Sequence, residues 1–192
     1  MKKLSLIIAT VLVLGVAKIS KAQVDSESAS HGVSFEVPQI AILDIEGGEN
    51  IELNLGTIVE EAGDGIDLSG VTNDQLWLNY TVLTGTGQNG RAQEQKIYVS
   101  IDNAIPGINL MLKVGADEGA GAGANGTPSN SSAIVVDDEA STEIISGIGS
   151  SYTGDGTNKG HNLAYSLEVG DFEELVAGSH SVTVTYTFTD NN

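Results

Sequence analysis

The chain reads as all-β, a single antiparallel β-sandwich of about seven to nine strands. Three observations predict it. Apolar and polar residues alternate with period two in one segment after another, most clearly at the end. There Val182, Val184, Tyr186 and Phe188 share one parity, and Thr183, Thr185, Thr187 and Thr189 the other. Gly- and Asn-rich stretches punctuate these segments, with 24 glycines among 192 residues. Finally, no stretch repeats its apolar residues at the 3.6-residue spacing of a helix. A closed barrel is the alternative architecture.

Residues 1–22 read as a cleaved secretory signal peptide. Lys2 and Lys3 form the positive start, residues 4–17 the apolar stretch, and Ser20-Lys21-Ala22 a small–x–small cleavage site. The apolar run is shorter than the roughly 20 residues that span a bilayer, and no later segment is apolar enough for insertion. Cleavage leaves Gln23 as the mature N-terminus. Removing 22 residues from 192 leaves 170, enough for one domain with its own core. Four of the eight basic residues leave with the signal, and all 26 acidic ones stay, so the mature charge is −22. Such a surface repels nucleic acid and anionic membranes. It suits solubility outside the cell, with divalent-cation binding as the alternative. Cysteine is absent, so an exported domain is held by core burial and strand pairing alone.

Residues 23–31 form a polar, flexible leader. In residues 32–45, Val33, Phe35 and Val37 alternate, Pro38 interrupts, and Ala41, Leu43 and Ile45 continue the parity. Ile51, Leu53 and Leu55 predict a short strand after the Glu46–Glu49 turn. Residues 57–74 are an acidic connection. A strand over 75–83 follows, with Leu76, Leu78, Tyr80 and Val82 on one face and Trp77 on the other. Asn89-Gly90 is the best hairpin signal, and it predicts that the strand over 94–102 pairs with the one before it. A further strand covers 108–114. Residues 115–132 are too poor in apolar groups to pack and read as a long exposed loop. Short strands are expected at 133–137 and 142–145, and a second Gly-rich loop at 147–161. A strand over 162–169 precedes a single helical turn within 171–176 and then the terminal strand. This count and spacing fit an immunoglobulin-like or pilin-like sandwich, with residues 32–192 as its domain.

The chemistry-bearing residues are sparse. His31, His161 and His180 have no metal-ligand spacing and read as solvated. The stretch GIGSS at 147–151 is not G-x-S-x-G and lacks a strand–helix setting. Phosphate-binding loops are missing, and among so many carboxylates no glycosidase pair stands out. The sequence therefore predicts a protein that is not an enzyme and needs no cofactor. Calcium is the one metal worth considering, with Asp64, Asp67 and Asp155 as candidates in connections, where hard oxygen ligands are usually presented; no EF-hand pattern is complete. Trp77 and Tyr152 are the aromatic candidates for stacking on a glycan or a partner, against a core position for Trp77. Val33 and Phe35 are the candidates for self-association, since the segment holding them either pairs within its own domain or adds to a neighbour's sheet.

Residues 175–186, LVAGSHSVTVTY, resemble the close of spore-coat-U-like and other fimbrial-type subunits, where an L-x-A-G turn leads into a V-x-V-x-Y strand. They are also similar to the last strand of WxL-type surface domains, although Trp77-Leu78-Asn79 reads W-L-N. VPQIAILDIE at 37–46 with GIGSSYTGDGTNKGHNLAYSL at 147–167 resembles small secreted bacterial β-sandwich proteins. The resemblance implies a non-enzymatic structural or adhesive protein at the cell surface or in the matrix, as a subunit of a fibre or pilus-like filament. The alternative is a carbohydrate-binding module.

Overall fold

Period-two apolar segments become strands wherever a sheet face is covered, and nine form among the described residues. A computed structural model describes residues 28, 30–56, 59, 61–87 and 93–190. The predicted signal peptide and the Asn89-Gly90 turn lie outside the described residues. The strands are β1 (Ile40–Glu46), β2 (Thr72–Leu83), β3 (Gln95–Ile101), β4 (Ile108–Asp117), β5 (Ala122–Pro128), β6 (Ile134–Val135), β7 (Thr142–Tyr152), β8 (His161–Val169) and β9 (Val184–Asp190). A 3-10 turn, Phe172–Glu174, supplies the expected helical turn, with the Asp171 carboxylate accepting from the Glu173 amide.

All pairings are antiparallel, in the order β6-β4-β8-β2-β7-β3-β9, with β1 on β2 and β5 on β7. β2 is the hinge of this sheet. One edge carries β1 from Ile40↔Leu83 to Glu46↔Trp77. The other pairs with β8 up to Leu78↔His161, then with β7 at Thr81↔Tyr152 and Val82↔Ser151. The sheet turns over at that corner. Leu78, Leu112 and Leu163 from one half meet Ile97, Val99, Ile145 and Ile148 from the other in one core. Tyr80 on β2 meets Phe188 on β9 edge to face, with ring centroids 5.7 Å apart. The all-β antiparallel sandwich expected from the alternation is the fold observed.

Several local expectations are corrected. β3 pairs with β7 and β9, not with β2. The Gln93 amide does donate to the Gly85 carbonyl at 3.0 Å. Both edges of β2 are already taken by β1, β8 and β7, so no ladder to β3 can form. Residues 115–132 are not a loop: they hold the end of β4 and all of β5, paired with β7 from Ala122↔Tyr152 to Pro128↔Ile145. Likewise β7 runs on to Tyr152, through residues read as a loop. Residues 51–56 carry no strand, yet Ile51, Leu53 and Leu55 pack half-buried on the core.

The chain divides into two compact units, Met1–Glu36 and Val37–Asn192. Residues 30–39 carry no strand, so the expected alternating strand through Val33 and Phe35 does not form. Pro38 offers no amide to a ladder and restricts Val37 before it. Val33 and Phe35 are 78% and 84% exposed in the first unit, and Val37 is 64% exposed in the second.

Candidate functional site

The corner where β2 passes from β8 to β7 gathers the buried polar residues Asn79, Ser151, Thr153 and His161. His161, read as solvated, is fully buried. It opens β8 opposite Leu78 and Asp117. Its Nδ1 donates to the Gly115 carbonyl at 2.9 Å, because a carbonyl only accepts. Its Nε2 lies 3.0 Å from the Tyr80 hydroxyl and 3.3 Å from the Asn125 carbonyl. The imidazole also stacks on Tyr80, centroids 5.8 Å apart and 14° from parallel. The Tyr80 hydroxyl donates to the Asn125 carbonyl. Burial, then the nearby Asp117 carboxylate, pushes the Tyr80 phenol well above its ordinary range. Asn125 Nδ2 in turn donates to Asp117 Oδ2 at 2.9 Å. Four strands, β2, β4, β5 and β8, are tied together here by hydrogen bonds, while the buried Oδ1 atoms of Asp117 and Asn125 have no hydrogen-bond partner among the described residues.

Above this hub, the loop after β7 is pinned to β2. Thr153 is fully buried and exchanges two hydrogen bonds with Tyr80: the Tyr80 amide donates to Thr153 Oγ1 at 2.9 Å, and the Thr153 amide to the Tyr80 carbonyl at 3.0 Å. Asn79 Nδ2 donates to the Gly156 carbonyl at 2.9 Å, and Lys159 Nζ to the Asp155 carbonyl at 2.6 Å. Gly160 is required by a left-handed φ of 67° and by close approach, since a Cβ there would lie 2.3 Å from the Leu78 carbonyl oxygen.

The pinned loop and the outward face of β1 and β2 enclose an open cleft of about 520 Å³, lined by Ile42, Asp44, Asn79, Thr81, Tyr152 and Asp155 together with Tyr80 and Gly154. Two residues singled out from the sequence, Tyr152 and Asp155, thus meet in one place. Tyr152 is 50% exposed. Trp77 is half-buried on the same outward parity of β2, opposite Glu46. Four residues of strand separate it from Thr81, roughly 13 Å.

The other candidates do not line this cleft. Asp64 and Asp67 are exposed on the connection before β2. The Asp67 carboxylate caps the Ser69 amide at 2.9 Å, which holds its pKa below the usual range. Among the described residues, no three His, Cys, Asp or Glu side chains gather so that they could hold a metal ion. His31 and His180 are exposed, and His180 Nε2 donates to the Val176 carbonyl at 2.8 Å. Val33 and Phe35 belong to the first unit.

Asp44, Asn79 and the Tyr80–His161–Asn125 hub had no signal of their own in the sequence. The one available clue was that His161 begins an alternating strand, at the parity of Leu163 and Tyr165. No family model, curated protein or solved structure matches the chain.

Proposed function

We propose that the protein is exported and works outside the cell or on its surface as a non-enzymatic structural or adhesive β-sandwich, a subunit of a fibre, pilus-like filament or matrix. The observation that carries this reading is a pair of unmatched features. Val33, Phe35 and Val37 alternate with 78%, 84% and 64% exposure. At the other end of the chain, β9 pairs only with β3 among the described strands, and its inward residues Val184, Tyr186 and Phe188 are only half-buried. An unpaired edge with part-covered apolar side chains accepts an added strand. A segment with three apolar groups at period two is such a strand. Supplied by another copy, it links subunits head to tail. The mature charge of −22 opposes the contact at low ionic strength, so salt or calcium favours assembly. His161 supports a non-catalytic reading, because its imidazole is fully buried and both nitrogens face protein partners.

The test is sedimentation of the chain from Gln23, with and without calcium, against its Phe35→Asp variant. Concentration-dependent oligomers that the variant loses support the reading. A monomer in every condition removes it.

The second reading is a carbohydrate-binding module, favoured by the placement of Trp77 and Tyr152 on one outward face. A glycan array with the mature chain and its Trp77→Ala and Tyr152→Ala variants tests it.

A further inference from the structure

We propose that the cleft at the β1–β2–β7 corner is a subsite for a neutral oligosaccharide. It rests on the carbohydrate-binding reading above and assigns the site and the ligand class. Ile42↔Thr81 and Thr81↔Tyr152 are cross-strand pairs, so three side chains lie in one row across three strands. Ile42 is 63% exposed, Tyr152 50%, and Thr81 is exposed between them. Neighbouring strands are about 4.8 Å apart, so the row offers an aliphatic group and an aromatic ring with a hydroxyl between them.

One step along β1, Asp44 stands opposite Asn79. On the far side the pinned loop brings Asp155 to the same cleft. Both carboxylates are exposed, and an ionised carboxylate only accepts hydrogen bonds. The cleft therefore joins apolar surface to strong acceptors. A sugar ring is its complement: one face presents C–H groups to a ring such as Tyr152, and the rim presents hydroxyl donors. Charge selects within that class. Two carboxylates in the cleft and a mature charge of −22 repel uronic-acid or sulfated chains, while a neutral sugar meets no such barrier.

The site is also held in place before any ligand arrives. Thr153 and Asn79 fix the loop to β2, and its turns use Gly154 at φ 90°, Gly156 at φ 106° and Asn158 at φ 60°. A fixed loop spares the ordering cost of binding.

The test is calorimetric titration of the chain from Gln23 with cellohexaose, maltohexaose, mannohexaose and chitohexaose, against anionic hexagalacturonate, at low and high salt. At least one neutral sugar binds, with affinity insensitive to salt, and hexagalacturonate does not. Tyr152→Ala weakens that binding roughly tenfold or more, as expected for an exposed aromatic anchor, with an unchanged melting temperature. Asp44→Asn with Asp155→Asn weakens the neutral sugar and relaxes the exclusion of the anionic one. If Tyr152→Ala binds normally while Trp77→Ala does not, the carbohydrate reading stands and the assignment to this cleft is overturned. Tighter binding of hexagalacturonate overturns the ligand class. Binding of none of these sugars overturns both.

Discussion

The phenolic hydroxyls of Tyr165 on β8 and Tyr186 on β9 share a hydrogen bond, although four strand-to-strand steps separate β8 from β9 in the sheet order. Only a sheet folded over its own core brings them together. Burial pushes the Tyr165 phenol up to about 12, and burial followed by Tyr165 itself raises Tyr186 further. Tyr165→Phe and Tyr186→Phe each strand one buried hydroxyl, at a cost of about 1–3 kcal/mol. The double variant should cost less than the sum of the two, which urea melts around the mutant cycle will measure.

The same raised values set an alkaline limit. A phenol whose folded pKa lies above its unfolded value of about 10 contributes stability that is intact below pH 10 and lost as pH rises beyond it. Stability measured from pH 9 to 12 should therefore fall steeply. The fall should be shallower in the Tyr165→Phe, Tyr186→Phe double variant.

His161 is predicted to hold four strands together. His161→Leu keeps the volume but leaves the buried Gly115 carbonyl without its imidazole donor, an expected loss of about 1–3 kcal/mol. Replacing exposed His180 by Leu should change stability by less than about 0.5 kcal/mol. Equal melting points for the two variants would show that the buried hub contributes nothing.

Asp102 clamps the approach to β9. Its carboxylate accepts from the Thr183 amide at 2.7 Å, and its own amide donates to the Thr183 carbonyl at 3.1 Å. The Thr183 amide is the main reason its pKa is lowered. A lowered carboxylate contributes stability above its unfolded pKa, near 4, and loses it as pH falls through the folded value. Asp102→Asn should be less stable than the parent at pH 7, and the gap should close towards pH 2.

How far the sequence foretold this depended on where side-chain burial follows the strand period. It does so in β2, β3, β8 and β9, and these were legible. β5 was not, because AGANGTP buries no large side chain. It is held by its ladder to β7 and by the Tyr80 hydroxyl, which donates to the Asn125 carbonyl. β7 was half-legible: its ladders carry register shifts between 95 and 97 on β3 and between 123 and 125 on β5, which break the alternation after Ile145. Amide exchange would show the difference, with β7-facing amides of residues 122–128 protected rather than exchanging as a loop. Of the candidate site, Tyr152 and Asp155 were found from their loop composition. Asp44 was not, because only the β1–β2 register puts it beside them.

Hydrogen exchange along β9 reads strand addition between copies. The chain from Gln23 is compared with its Phe35→Asp variant at high protein concentration, in salt and calcium. If the 32–38 segment of one copy adds to the β9 edge of another, the outward β9 amides exchange slowly in the parent and fast in the variant, and slow exchange disappears on dilution. Identical, concentration-independent exchange in the two proteins would contradict strand addition and, with it, the structural role.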